Sequence, residues 1–232
     1  MKACSNKRST QTGFTLVEIA IVLVIIGLLL GGILKGQEMI TNAKIKNVIS
    51  DFNGITAAVN SYQDRYRALA GDESNATVSA RWSGAFGGDG NGVLCTGACP
   101  GTPPSPYNVT PATPATNAPE AGLFWLHLRL AGFVAGPTSS ASAASTTQPN
   151  NAANGIIGAQ TTGLGFGSNI ICSSNLPDKI AIAVDTQMDD GSSLTGQIRG
   201  QLQAGTPNPV VGTAATNYAE TGANQYLLCK SL

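Results

Sequence analysis

Hydrophobic positions along the chain fall into three regimes. From Phe14 to Leu34 the run FTLVEIAIVLVIIGLLLGGIL is apolar on every side and carries a single charge, Glu18. Its 21 residues, at about 1.5 Å of helical rise each, match a bilayer core about 30 Å thick. From Ile45 the pattern becomes periodic. Ile45, Val48, Phe52, Ile55, Val59, Tyr62, Tyr66 and Leu69 recur at alternating steps of 3 and 4, a stripe on one helical face. Lys44, Lys46, Asn47, Asp51, Asn53, Asn60, Asp64, Arg65 and Arg67 lie largely off it. A coiled coil shows the same steps, but this one lasts little more than three heptads, near the minimum for that reading. An amphipathic half packed on the chain's own head is the better account. Together the two regimes predict one helix from about Phe14 to Leu69, stopped by Gly71-Asp72.

Beyond residue 70 the pattern is short and broken. Residues 71–100 read as a loop rich in Gly and Asp. The stretches 101–119 (GTPPSPYNVTPATPATNAP) and 136–155 (GPTSSASAASTTQPNNAANG) hold too few apolar side chains for a core and read as exposed low-complexity loops. Between them GLFWLHLRLAGFVAG predicts a short buried helix ended by Gly132. A Gly-broken apolar run follows from Ile156 to Ile171, and Lys179-Ile-Ala-Ile-Ala-Val-Asp185 alternates like a strand. Residues 187–191 form a turn, with Gly196 to Arg199 pairing back, and Tyr226 to Lys230 predict a last edge strand. The expected class is α+β: residues 1–13 a leader, 14–36 a membrane or filament-core helix, 37–70 an amphipathic helix and 71–232 a β-rich head.

Composition narrows the function. Only 11% of residues are charged, against roughly 25% in ordinary soluble domains, which suits an exported, loop-rich protein. Lys and Arg balance Asp and Glu at 13 each, so no basic field points to a nucleic-acid partner. His127 is the one histidine. No Ser or Cys nucleophile motif accompanies it, so a structural role in a partly buried segment is expected and no enzyme is. Asp185, Asp189 and Asp190 sit at a turn, where carboxylates ordinarily cap or are solvated. Asp72, Asp89 and Asn91 offer oxygen ligands for calcium, but the full twelve-residue calcium-loop spacing is missing. Gly-Asp-Gly-Asn-Gly is equally a turn cluster. Turns are the expectation, with calcium a weaker option and no other cofactor. Asn75-Ala-Thr and Asn108-Val-Thr match the N-glycosylation acceptor.

Of the five cysteines, Cys4 lies in the leader. Cys95, Cys99, Cys172 and Cys229 remain, an even set that permits three pairings. CTGAC with two isolated cysteines lacks zinc-site spacing, so disulfides are the reading for an exported chain.

The leader MKACSNKRSTQTG carries Lys2, Lys7 and Arg8 and no acid, which predicts a cytoplasmic N-terminus for the span that follows. After the apolar run GGILKGQEMI continues the helix rather than offering a secretory cleavage site. Glu18 is therefore retained inside an apolar segment. A carboxylate in lipid costs roughly 2.5–3.5 kcal/mol on insertion scales, and no Lys, Arg or His lies between Phe14 and Leu34 to offset it. The partner expected is a positive group on another subunit or on a processed N-terminus.

The basic leader, Gly13, Phe14, Thr15-Leu16 and Glu18 ahead of a long apolar helix closely resemble the prepilin signal of the type IV pilin and type II secretion pseudopilin superfamily. The resemblance covers roughly residues 8–69. It implies cleavage between Gly13 and Phe14 by a prepilin peptidase, methylation of the new Phe14 amino group, and pairing of Glu18 with the amino terminus of a neighbouring subunit. It departs at the end of the apolar run, where many such pilins carry proline and this chain has Lys35 after Gly31-Gly32. In the head the resemblance is looser. It implies a long helix on an antiparallel sheet, with Cys172–Cys229 closing the C-terminal region and Cys95–Cys99 pinning the turn-rich loop.

These features together lead to an expectation of a structural subunit of a type IV pilus-like filament. It would be a single-pass inner-membrane protein before assembly and part of an extracellular or periplasmic homo-oligomer after it, with the peptidase and an assembly platform as partners. Loss of the leader leaves ten Lys and Arg against thirteen Asp and Glu, a mildly acidic subunit. A minor pilin or secretion pseudopilin is the alternative, and a membrane-anchored adhesin or enzyme a more distant one.

Overall fold

The computed structural model describes residues 15–95, 106–116, 118–205 and 207–232. The chain divides into two compact units, residues 1–42 and 43–232. Among the described residues of the first unit there is one element, the start of helix α1 (Leu16–Tyr66). No side chain from Thr15 to Lys44 is buried. An 18-residue window of α1 has a mean hydropathy of 2.8 and no buried residue, so the helix is long and apolar enough to cross a membrane.

In the second unit α1 buries Ile45, Val48, Phe52, Ile55, Ala58, Val59 and Tyr62, the stripe that the 3,4 spacing predicts. Around it follow α2 (Asn75–Arg81), α3 (Glu120–Leu130), a 3-10 turn (Ala143–Thr146), β1 (Ile157–Gly163), β2 (Phe166–Pro177), α4 (Asp178–Met188), β3 (Ile198–Leu202) and β4 (Gln225–Ser231). The strands make one antiparallel sheet in the order β1-β2-β4-β3. This is an α+β head in which the long helix packs on a small antiparallel sheet.

The sheet is buried on both faces, by the two-residue alternation of strand side chains. Ile157, Ala159, Ile171, Ile198, Tyr226 and Leu228 join α1, α3 and α4 in the main core. Ile170, Cys172, Leu227 and Cys229 face a second, smaller core with Tyr107 and Leu164. Lys230 reaches the helix, its Nζ donating to Thr56 Oγ1 at 3.3 Å.

Five expectations are corrected. Lys179 to Asp185 is not a strand but lies in α4. Ile180, Ala181, Val184 and Asp185 are the buried positions, a helical spacing, and alternating Ala with Ile mimics strand periodicity although Ala is the best helix former. Tyr226 to Lys230 is not an edge, since β4 lies between β2 and β3; a C-terminal position in sequence does not make a strand peripheral. Helix α1 stops at Tyr66, not Leu69. Arg67 takes a left-handed φ of 54°, and the turned chain buries Leu69 and Ala70. Gly71 is required further on, because a Cβ there would lie 2.5 Å from the Glu120 carbonyl oxygen. Residues 71–100 contain helix α2, built on Val78 as its one buried side chain. Finally, the described parts of 101–119 and 136–155 are not simply exposed. Tyr107, Ser145, Thr146, Gln148, Asn151 and Ala153 are all buried, held by polar contacts that an apolar count does not register.

Candidate functional site

Glu18 is fully exposed in an apolar surround, with Leu16 and Val17 at 91% and 66% exposure. Its carboxylate has a local partner all the same. Oε2 accepts from the backbone N–H of Thr15 and from the Thr15 hydroxyl, each at 2.8 Å. The Glu18 N–H donates back to Thr15 Oγ1 at 3.3 Å. This is a capping box, a Thr at the helix N-cap and a Glu three residues on, each satisfying the other's orphan amide. Thr15 thus gives Glu18 a neutral partner within its own segment, where no Lys, Arg or His is present. The sequence signal for it is T-x-x-E at 15–18, a hydrogen-bonding pattern that opposite charge alone does not reveal. Gly13 and Phe14, the expected cleavage and methylation positions, lie outside the described residues.

In the head the calcium candidates do come together. Asp72 is buried, and its Oδ1 accepts from the N–H groups of Gly90 and Asn91 at 3.1 and 2.9 Å, its Oδ2 from Gly92 at 2.9 Å. Asp89 accepts from the backbone and the side-chain amide of Asn91, and Asn91 Oδ1 accepts from Val93 N–H at 2.7 Å. Their oxygens thus organise a Gly-rich turn by accepting backbone hydrogens, which is the turn reading of these residues. Burial raises the Asp72 carboxyl above its ordinary range despite these amides.

A second buried carboxylate clamps the same loop from α3. Glu120 accepts from Asp89 N–H at 3.1 Å and Cys95 N–H at 2.8 Å. Desolvation pushes its pKa up to about 7, against the pull of the Cys95 and Asp89 amides. Asp89, Cys95 and Glu120 lie within metal-ligand distance of one another, but Cys95 is disulfide-bonded and offers no thiolate. Cys99, its expected partner, lies outside the described residues.

His127 is more buried than the sequence suggests, with no exposed surface. Nδ1 accepts from Gly71 N–H at 2.9 Å, so Nε2 carries the proton and donates to the Phe86 carbonyl at 2.9 Å. Burial pushes its pKa down to about 4. The ring stacks near Tyr62, whose hydroxyl donates to Glu73 at 2.5 Å. Burial opposes ionisation of Glu73, but bonds from Arg81 and Tyr62 outweigh it and leave the carboxyl below its ordinary value. Arg81 holds both Glu73 oxygens, at 2.7 and 2.9 Å. Each group is satisfied by a structural partner.

Asp185, Asp189 and Asp190 are likewise engaged. Asp185 accepts from the Tyr218 hydroxyl and Gly191 N–H, Asp189 from Ile198 N–H, and Asp190 from Thr195 and Ser192. They shape the α4–β3 connection. Cys172 and Cys229 are cross-strand neighbours in register and form a disulfide across a sequence separation of 57.

No curated protein and no solved structure matches the chain. Residues 8–34 match the family model for the prokaryotic N-terminal methylation motif. This segment contains Thr15 and Glu18 and the apolar part of α1. The motif fits inner-membrane anchoring and processing by a prepilin peptidase, and it points to a structural protein. Residues 8–34 therefore carry the prepilin-type signal of type IV pilins and pseudopilins, and that motif supports a type IV pilin-like or pseudopilin protein.

Proposed function

We propose that the protein is a structural subunit of a type IV pilus-like extracellular filament. It waits in the inner membrane, is cut between Gly13 and Phe14, is methylated on the new Phe14 amino group, and joins a homo-oligomer. One observation carries this reading. The apolar side chains from Leu16 to Ile40 are exposed throughout within and just beyond a segment that matches the methylation motif. Such a surface demands lipid before assembly and other copies of the same helix after it.

In this account the Thr15–Glu18 capping box shelters the carboxylate in the membrane form. On assembly Glu18 pairs with the methylated terminus of a neighbouring copy, and methylation keeps that amine basic. Mass spectrometry of the mature protein tests the processing step. A chain beginning at N-methylated Phe14 is expected; an intact leader, or a cut after Leu34, refutes it. Sheared surface filaments made mainly of this chain support a major pilin. Their absence, with the chain present as a trace component of another filament, favours a minor pilin or secretion pseudopilin.

A further inference from the structure

At the tip of the β1–β2 hairpin lies a cavity of about 460 Å³ that the filament reading does not use. Pro106, Gln160, Thr162, Phe166, Val210 and Thr213 are among its lining residues, and none of its lining residues among the described ones is ionisable. Val210 is 67% exposed. Arg199 packs over the Phe166 ring at 4.3 Å and donates to the Leu164 carbonyl at 3.0 Å, which holds the half-buried ring in place.

Two features of its rim fall where the β1–β2 register shifts, between Thr161 and Gly163, and bulges of this kind are over-represented next to functional sites. Thr162, Gly163, Leu164 and Gly165 all have positive φ, at 63°, 130°, 50° and 81°. For Leu164 the strain has a return, since its side chain is buried in the second core and its N–H reaches the Gly212 carbonyl. Thr162 has none of that: its side chain is exposed and makes no hydrogen bond among the described residues. A β-branched residue there is a genuine outlier, of the kind that accumulates at binding sites. Gly167 stands within β2 at the same register shift, where glycine marks a bulge or the close approach of a ligand. A Cβ at this position would meet nothing within 4 Å, so packing does not require the glycine.

We infer that this cavity is a binding site for an uncharged saccharide. A half-buried aromatic ring suits the apolar face of a sugar. The free Thr162 and Thr213 hydroxyls suit its polar edge, and the bare Gly167 leaves room for it. A phosphorylated or acidic ligand would want a cation facing it, whereas the guanidinium at this site, Arg199, lies against the Phe166 ring and donates to the Leu164 carbonyl. A few placed polar groups around an apolar floor are the usual make-up of a small-molecule site.

Saturation-transfer NMR on the full chain in a zwitterionic, sugar-free detergent tests the assignment. The probes are lactose, maltose and N,N′-diacetylchitobiose, with 3′-sialyllactose as the charged comparison. Transfer to at least one neutral disaccharide is expected. It should vanish in Gly167→Leu at an unchanged melting temperature, and weaken about tenfold in Thr162→Val, the worth of one hydrogen bond. Absence of transfer to all three neutral sugars overturns the inference. So does transfer to sialyllactose alone, or equal transfer in Gly167→Leu. Should Gly167→Leu not fold, Thr162→Val decides, and unchanged affinity there overturns it equally.

Discussion

Residues 16–42 and residues 45–62 belong to one continuous helix, yet they solve opposite problems. In the first stretch Leu16, Leu28 and Leu34 are 91%, 74% and 67% exposed. In the second, Val48, Phe52, Val59 and Tyr62 are at most 1% exposed. Burying a side chain of this size stabilises by roughly 1.5–3 kcal/mol. The second stretch gains that within its own head. The first has no partner within the described chain and gains it only from lipid or from other molecules. Apolar content alone does not separate them; the width of the apolar face does. An all-round apolar helix looks outward to a medium, and a striped one looks inward to a core.

The comparison is broken most sharply at Glu18. Glu18→Ala is expected to abolish filaments in sheared preparations while the melting temperature of the head stays at its original value. Filaments that persist remove the assembly role. Phe52→Ala should do the reverse, lowering head stability by about 3–5 kcal/mol in denaturant unfolding without altering membrane insertion. If both readouts moved together in either variant, the two stretches would not be independent.

Polar packing supplies the next contrast. Arg129 is 7% exposed and its guanidinium donates to the carbonyls of Ser145 and Thr147 at 2.6 and 2.7 Å. Arg129→Ala leaves two carbonyls unpaired and should cost about 2–4 kcal/mol. Limited proteolysis should then cut within 136–148, with no comparable change in residues 16–42.

The smallest effect is a pH dependence confined to the head. The Glu120 pKa is raised to about 7, so its contribution to stability is fully present below the unfolded value near 4.5 and is lost as pH rises through 7. The His127 pKa is lowered to about 4, so its contribution is present above the unfolded value near 6.5 and is lost as pH falls through 4. The two oppose each other between about pH 4.5 and 6.5. In Glu120→Gln the melting temperature should rise from pH 4 to 6.5 and then level off, by a few degrees at most. A decline between pH 5 and 7 that survives this substitution would assign it elsewhere.

The sequence was most readable where one residue property decides the outcome. The helix stripe from Ile45 to Tyr62 followed from spacing alone, and so did the buried segment around Trp125, now helix α3. The signal at 13–18 was legible because its residue order is specific. Reading failed where Ala counts as apolar in either conformation, as at 179–185. It failed again where polar side chains do the packing, as with Gln148 and Asn151, whose amides bond the Tyr107, Val109 and Ser174 carbonyls. The Thr15–Glu18 capping box is legible as T-x-x-E, but its donors are a neutral amide and hydroxyl, which a balance of opposite charges does not register.

By itself the sequence determined the α+β class, the exposed apolar helix, the amphipathic stripe and the processing signal. Each depends on local order or periodicity, which a linear chain displays directly. Only the tertiary structure decided that β4 is interior, that two buried carboxylates clamp one glycine-rich loop, and that Thr162 and Gly167 rim a single cavity. Those facts depend on segments far apart in sequence meeting in space, where burial and hydrogen-bond satisfaction select among arrangements that local preference leaves equal.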